Sequence, residues 1–66
     1  MNLKQYLKSR KIRQEAFAKD LGVTQASVSR WCNGEYLPQP TLLKKILVMT
    51  GGEVTLMDFY NNLGEN

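Results

Sequence analysis

The stretch KDLGVTQASVSRWCNGE, Lys19 to Glu35, constrains the chain most. Two segments with helical spacing of apolar residues meet there with only Gly22, Val23 and Thr24 between them. A joint that short cannot fold one helix back along the other with long overlap. It demands a sharp crossing. Close crossing needs a small contact residue on the first helix, and Ala18 is one. The turn needs tolerance of positive φ, which Gly22 supplies. Thr24 is a good N-cap for the second helix. Val23 and Val28 would plug the angle between the two, and Trp31 would pin the far end.

The rest of the chain reads as short helices around this pair. NLKQYLKSRK places Leu3, Tyr6, Leu7 and Arg10 at i, i+3, i+4 and i+7, which predicts a first helix at about 2–10. Asn2 with Gln5 three residues on has the form of a capping box. A second helix at about 14–21 turns Phe17, Ala18 and Leu21 to one side and ends at Gly22. Its start is poorly marked, because Arg13 is not a favoured N-cap, although Glu15 suits the helix dipole. The third helix, about 25–32, stops at Asn33 and Gly34. After the loop EYLPQP, a fourth helix at about 40–49 carries a wide apolar stripe of Leu42, Leu43, Ile46, Leu47 and Met49. Lys44 and Lys45 lie outside that stripe, and Gly51–Gly52 closes the helix. Thr55 with Asp58 caps a short fifth helix at about 56–62. The competing reading of EVTLMDFY, residues 53–60, is a strand. The fold class expected is all-α: one domain spanning 1–66, a compact bundle of about five short helices.

At 66 residues there is room for one small core. One cysteine, Cys32, and no histidine exclude an intrachain disulfide and a Cys/His metal cluster. No cofactor or small-molecule ligand is implied. Neither a signal-peptide core nor a membrane-length apolar run occurs, so a reducing cytoplasm is the expected compartment. The charge is unevenly spread. Residues 1–33 hold seven basic side chains against two acidic ones, a net of +5, while residues 34–66 net −2. A basic half joined to an acidic half suits a polyanion partner, though a solvated basic face would look the same.

With Val28 and Trp31 inward, the helical period turns Gln25, Ala26, Ser29, Arg30 and Asn33 outward as one stripe. These side chains are short or carry directional hydrogen-bonding groups. Short residues let a helix sit deep in the DNA major groove, where Gln pairs with adenine edges, Arg with guanine O6/N7, and Ala touches a thymine methyl. A merely solvated face would more often carry the strong helix formers Lys and Glu. Trp31 reads as core rather than a base-stacking platform, and Cys32 as a bystander thiol. Lys8, Arg10, Lys11, Arg13, Lys44 and Lys45 are either phosphate contacts or plainly solvated. Gln14, at a helix N-terminus, is better placed for phosphate.

QEAFAKDLGVTQASVSRW resembles the helix-turn-helix of the phage Cro and repressor family. The likeness rests on Ala18, Gly22, Val23, Val28 and Trp31 at fixed spacing, in a motif of about 14–32. WCNGEYLPQPTLLKKI followed by TGGEVT is similar to small Cro-like regulators of phage and prophage origin. The resemblance implies a lambda-repressor-like fold and a sequence-specific regulator that binds double-stranded DNA and represses by promoter occlusion. It puts Gln25, Ala26, Ser29 and Arg30 on base edges and Gln14 on phosphate. Thr24, Ser27, Asn33, Arg13 and Lys11 complete the expected phosphate-contacting set. Residues 50–66 make a poor version of the C-terminal β-hairpin through which the lambda Cro dimerises. A weak homodimer on a palindromic operator is expected instead, using Met57, Phe59, Tyr60 and Leu63 with Tyr36 and Leu37.

No catalytic constellation is legible: histidine is absent, and no paired carboxylates, phosphate loop or nucleophile motif appears. An enzyme is therefore not expected. The alternative is a DNA-binding antitoxin gripping a protein partner through Val54, Leu56, Met57, Phe59, Tyr60 and Leu63.

Overall fold

Local chemistry opens and closes nearly every helix of this chain. The computed structural model describes residues 1–62. It contains α1 (Leu3–Arg10), α2 (Gln14–Leu21), α3 (Gln25–Cys32), α4 (Pro40–Met49) and α5 (Leu56–Asn62), with no strand among the described residues. The Asn2 side chain accepts from the Gln5 N–H at 2.8 Å, and the Asn2 N–H donates to Gln5 Oε1 at 3.1 Å. That is the reciprocal capping box predicted at α1. Thr24 Oγ1 accepts from the Ser27 N–H at 3.2 Å and opens α3. Arg13 makes no side-chain cap bond for α2. Pro40 opens α4, where its missing N–H costs nothing.

The strand alternative for residues 53–60 is overturned by a second reciprocal cap. Thr55 donates its N–H and its hydroxyl to Asp58 Oδ2 at 2.8 and 3.1 Å, and its Oγ1 accepts the Asp58 N–H at 3.3 Å. These bonds, all within four residues, fix the backbone in a helical turn where a strand would need it extended.

Helices α1 to α4 all close in the same way. The N–H groups of Ile12, Val23, Glu35 and Gly52 reach back to the carbonyls of Leu7, Ala18, Arg30 and Leu47 at 2.8–3.0 Å. Each closure needs one residue with positive φ. Glycine supplies it at Gly22, Gly34 and Gly51, but α1 uses Lys11 at φ 57°.

The core gathers Leu3, Tyr6 and Leu7 of α1, Phe17, Ala18 and Leu21 of α2, and Val28, Trp31 and Cys32 of α3. Ile46, Val54 and Phe59 complete it from the C-terminal half. Val28 and Ile46 are fully buried. The wide α4 stripe is narrower than the sequence suggests. Leu42 and Leu43 are half-buried, whereas Leu47 and Met49 are exposed, as is Val48 at 74%. A domain this small has too little chain to cover a second face of α4, so the helix docks along one seam ending at Thr50.

Polar bonds between distant segments lock the arrangement. Thr50 is buried. Its Oγ1 donates to the Ile46 carbonyl at 2.8 Å and accepts from the Val54 N–H at 3.2 Å, tying the end of α4 to the approach to α5. Asn62 Nδ2 donates to the Cys32 carbonyl at 3.1 Å, covering the C-terminal end of α3. Arg10 forms an ion pair with Glu53, and the N-terminal ammonium lies 3.2 Å from Asp58 Oδ2. Partial burial pushes the Asp58 carboxyl up, but hydrogen bonds from Thr55 and the ammonium outweigh it and hold the group below its ordinary value.

Ala18 is buried on α2, which packs most closely against α3, and the sequence reading sets it at their crossing. Ala18→Leu should therefore overpack this contact and destabilise the protein by roughly 1–3 kcal/mol, read as a lowered midpoint in chemical denaturation. An unchanged midpoint would contradict the crossing.

Candidate nucleic-acid interface

The interface is built by the turn between α2 and α3. Gly22, at φ 85°, reverses the chain, and Val23, half-buried, packs into the core at the corner. Val28, Trp31 and Cys32 then face inward from α3. The opposite face presents Gln25, Ala26 and Arg30 to solvent, with Ser29 half-buried beside them and Asn33 exposed just past the helix. The four side chains expected on base edges thus lie on the face of α3 away from Val28 and Trp31, three of them exposed and Ser29 half-buried.

The expected phosphate set divides into groups. Thr24 and Ser27 share the N-terminal turn of α3, their hydroxyl oxygens 3.0 Å apart. Gln14 is the first residue of α2 and is half-buried, with Arg13 exposed before it. Because α2 lacks a side-chain cap, its first N–H groups stay open to an anion. Lys11 is exposed at the corner between α1 and α2. Asn33 lies at the other end of α3.

Several side chains fall elsewhere than the sequence suggests. Arg10 does not stand free for phosphate: its guanidinium pairs with Glu53 and lies 5.4 Å from the centre of the Tyr6 ring. Tyr36 has a neighbour that the sequence did not suggest. The loop after α3 folds back through the Glu35 N–H bond to the Arg30 carbonyl, 3.0 Å, and the Tyr36 ring lies 5.7 Å from the Arg30 guanidinium. Leu37 is half-buried against the core. Phe59 and Val54 are core residues, 4% and 1% exposed, because α5 must cap the small interior. Leu56, Met57 and Tyr60 remain exposed, and Leu63 lies outside the described residues. The aromatic neighbour of Arg30 is the element that sequence reasoning missed. Its one signal was the loop's proximity in sequence to the end of α3.

Trp31 is buried, as its spacing with Val28 requires. Cys32 is buried too. Burial pushes its thiol up to about 11, against a smaller opposing pull from Lys4, so the reactive thiolate is scarce at neutral pH. Among the described residues no cluster could hold a metal ion, and no helix is long and apolar enough to cross a membrane.

A helix-turn-helix family model matches residues 3–56. The chain belongs to the helix-turn-helix family. No curated protein and no solved structure matches it significantly. The family is one of DNA-binding regulators, so this helix-turn-helix protein is a transcriptional regulator that binds double-stranded DNA. The match spans α1 to α4, including the turn and the outward face of α3.

Lys11 is the only non-glycine residue with positive φ among the described residues. A side chain there costs about 1–2 kcal/mol, partly offset by the greater unfolded-state freedom of glycine. Lys11→Gly should thus raise stability by up to about 1 kcal/mol in denaturant titrations. A clear loss would mean that the lysine side chain contributes contacts to the fold.

Proposed function

We propose that the protein is a Cro-like repressor of phage or prophage origin that binds an operator through α3 and occludes a promoter. The observation that carries this reading is the composition of the outward α3 face. Gln25, Ala26, Ser29 and Arg30 are small or directional, stand opposite Val28 and Trp31, and project from a helix pinned at its start by Thr24. In this reading Arg30 reads guanine, Gln25 reads adenine, Ala26 and Ser29 let the helix approach the groove floor, and Gln14, Thr24, Ser27, Asn33, Arg13 and Lys11 hold phosphates. The basic balance of residues 1–33, net +5 before Arg10 is paired with Glu53, supports a polyanion partner. The whole of 1–66 acts as one DNA-binding domain.

One recognition helix reads too few base pairs for selectivity in a genome. A two-fold dimer with recognition helices one DNA turn apart, ~34 Å, solves this. The C-terminal patch expected to meet a partner is small: Leu56, Met57 and Tyr60 are exposed, while Val54 and Phe59 belong to the core. The dimer is accordingly weak, largely monomeric when free and paired on a palindromic operator. The same loss of Val54 and Phe59 to the interior shrinks the C-terminal set expected to grip a toxin, which favours the repressor over the antitoxin.

Selection of bound fragments from random duplex DNA tests the reading directly. Arg30→Ala and Gln25→Ala should each cost roughly 1–3 kcal/mol on the selected site and relax preference at one base position. Lys11→Ala should weaken all sequences alike and make the log affinity–log salt slope shallower by about 0.9. An Arg30→Ala profile identical to the parent's would refute the orientation assigned to α3.

Assembly has its own measurement. Sedimentation of the free protein should show mostly monomer at micromolar concentration, and the operator complex should contain two chains. One chain per operator at saturation, with no gain from a second half-site, would exclude the dimer.

A further inference from the structure

We propose that Tyr36 is a positioning residue for Arg30, holding its guanidinium in place before DNA arrives and so sharpening the choice of base. The inference rests on the reading of Arg30 as a base contact and goes beyond it by naming what aims that side chain.

Arg30 stands in the last turn of α3, exposed, on a long flexible stem. A free arginine of this kind samples many rotamers and loses that freedom on binding. Here its guanidinium lies 5.7 Å from the centre of the Tyr36 ring, within the range of attraction between a cation and an aromatic face. The backbone that carries the ring is held in place. The Glu35 N–H bond to the Arg30 carbonyl folds the loop back over the end of α3, Leu37 packs against the core, and Pro38 is buried. Tyr36 is therefore anchored on both sides while its own ring stays 57% exposed. An exposed ring contributes little to the core, so stability alone does not account for an aromatic residue there. Arg30 and Tyr36 also line one side of a shallow recess of about 360 Å³, with Ser27, Gln39 and Leu42 around it. Arg30 is itself exposed and has no carboxylate partner among the described residues, so its N–H groups stay available to a base.

The arrangement separates two jobs. The planar fork of the guanidinium supplies the bidentate hydrogen bonds to guanine. The ring restricts where that fork points, and shields one face of it from water. Arginine suits this stacking better than lysine because its cation is planar and weakly hydrated.

The test compares Tyr36→Leu and Tyr36→Phe in the full chain, with Arg30→Ala and the double variant Tyr36→Leu/Arg30→Ala, each profiled on duplexes selected by the parent protein and altered one base pair at a time. Thermal melting of each variant monitors the fold. Tyr36→Leu should reduce discrimination about two- to fivefold at the one base pair where Arg30→Ala abolishes it, with the melting midpoint unchanged. Tyr36→Phe should keep the parent profile, since the ring and not the hydroxyl does the positioning. In the Arg30→Ala background Tyr36→Leu should change nothing further.

Three results would overturn the proposal. If Arg30→Ala changes one base preference and Tyr36→Leu leaves it intact, the positioning role fails and the reading of Arg30 stands. If Tyr36→Leu weakens every sequence equally, with or without Arg30, the tyrosine contacts the DNA backbone instead. If Arg30→Ala leaves the profile untouched, the base-reading role fails, and the positioning role with it.

Discussion

The crossing of α2 over α3 is the contact on which the rest of this protein depends. Only three residues join the two helices, so their angle is set by what fits at the corner. Ala18 is small enough to let the helices approach. Its carbonyl accepts the N–H groups of both Gly22 and Val23, at 2.8 and 2.9 Å, which fixes the turn. Val28, on α3, is fully buried. Once that angle is set, the rotation of α3 about its own axis is set as well, because Val28 and Trp31 must both face inward. The outward face is then no longer a choice.

The remaining helices support that pair rather than compete with it. Helix α1 lays Leu3, Tyr6 and Leu7 on the core, and Ile46, Val54 and Phe59 close it from the other half. In so small a core, packing alone specifies geometry weakly, since few apolar contacts are available to penalise a shifted helix. Directional bonds supply part of what is missing. Thr50 ties α4 to Val54, Asn62 covers the carbonyl of Cys32, and Arg10 reaches Glu53 across the sequence. The exposed ion pairs contribute modestly to stability. The buried Thr50 bonds matter more, because breaking one strands a polar group without water.

This division of labour explains how so small a domain can leave one face of a helix outside its core. Gln25, Ala26 and Arg30, exposed on the side of α3 away from Val28 and Trp31, lie outside the hydrophobic core. The same holds on α4 and α5, where Val48, Met57 and Tyr60 stay exposed. Arg10 shows the opposite case: a basic residue in the basic half of the chain, occupied by a carboxylate of the acidic half. Charge counted along a sequence therefore overstates the charge available to DNA.

Helix boundaries were largely legible because caps act over three or four residues. Asn2 with Gln5, Thr24 with Ser27, Thr55 with Asp58 and the glycine closures are all local devices, visible without knowing the fold. The inward face of α3 was legible for the same reason, since the helical period ties Val28 to Trp31 and leaves the opposite stripe by elimination. The seam of α4 was not legible. Leu47 and Met49 are as apolar as Ile46, and only the limited chain available to cover them leaves them exposed. Nor was the burial of Phe59, the pairing of Arg10 with Glu53, or the meeting of Tyr36 with Arg30. Sequence by itself determined the helices, the sharp turn and the chemistry of the face opposite Val28, all products of short-range spacing. Tertiary structure alone decided which apolar residues are core and which charges are already paired, because those depend on contacts between segments that no local period relates.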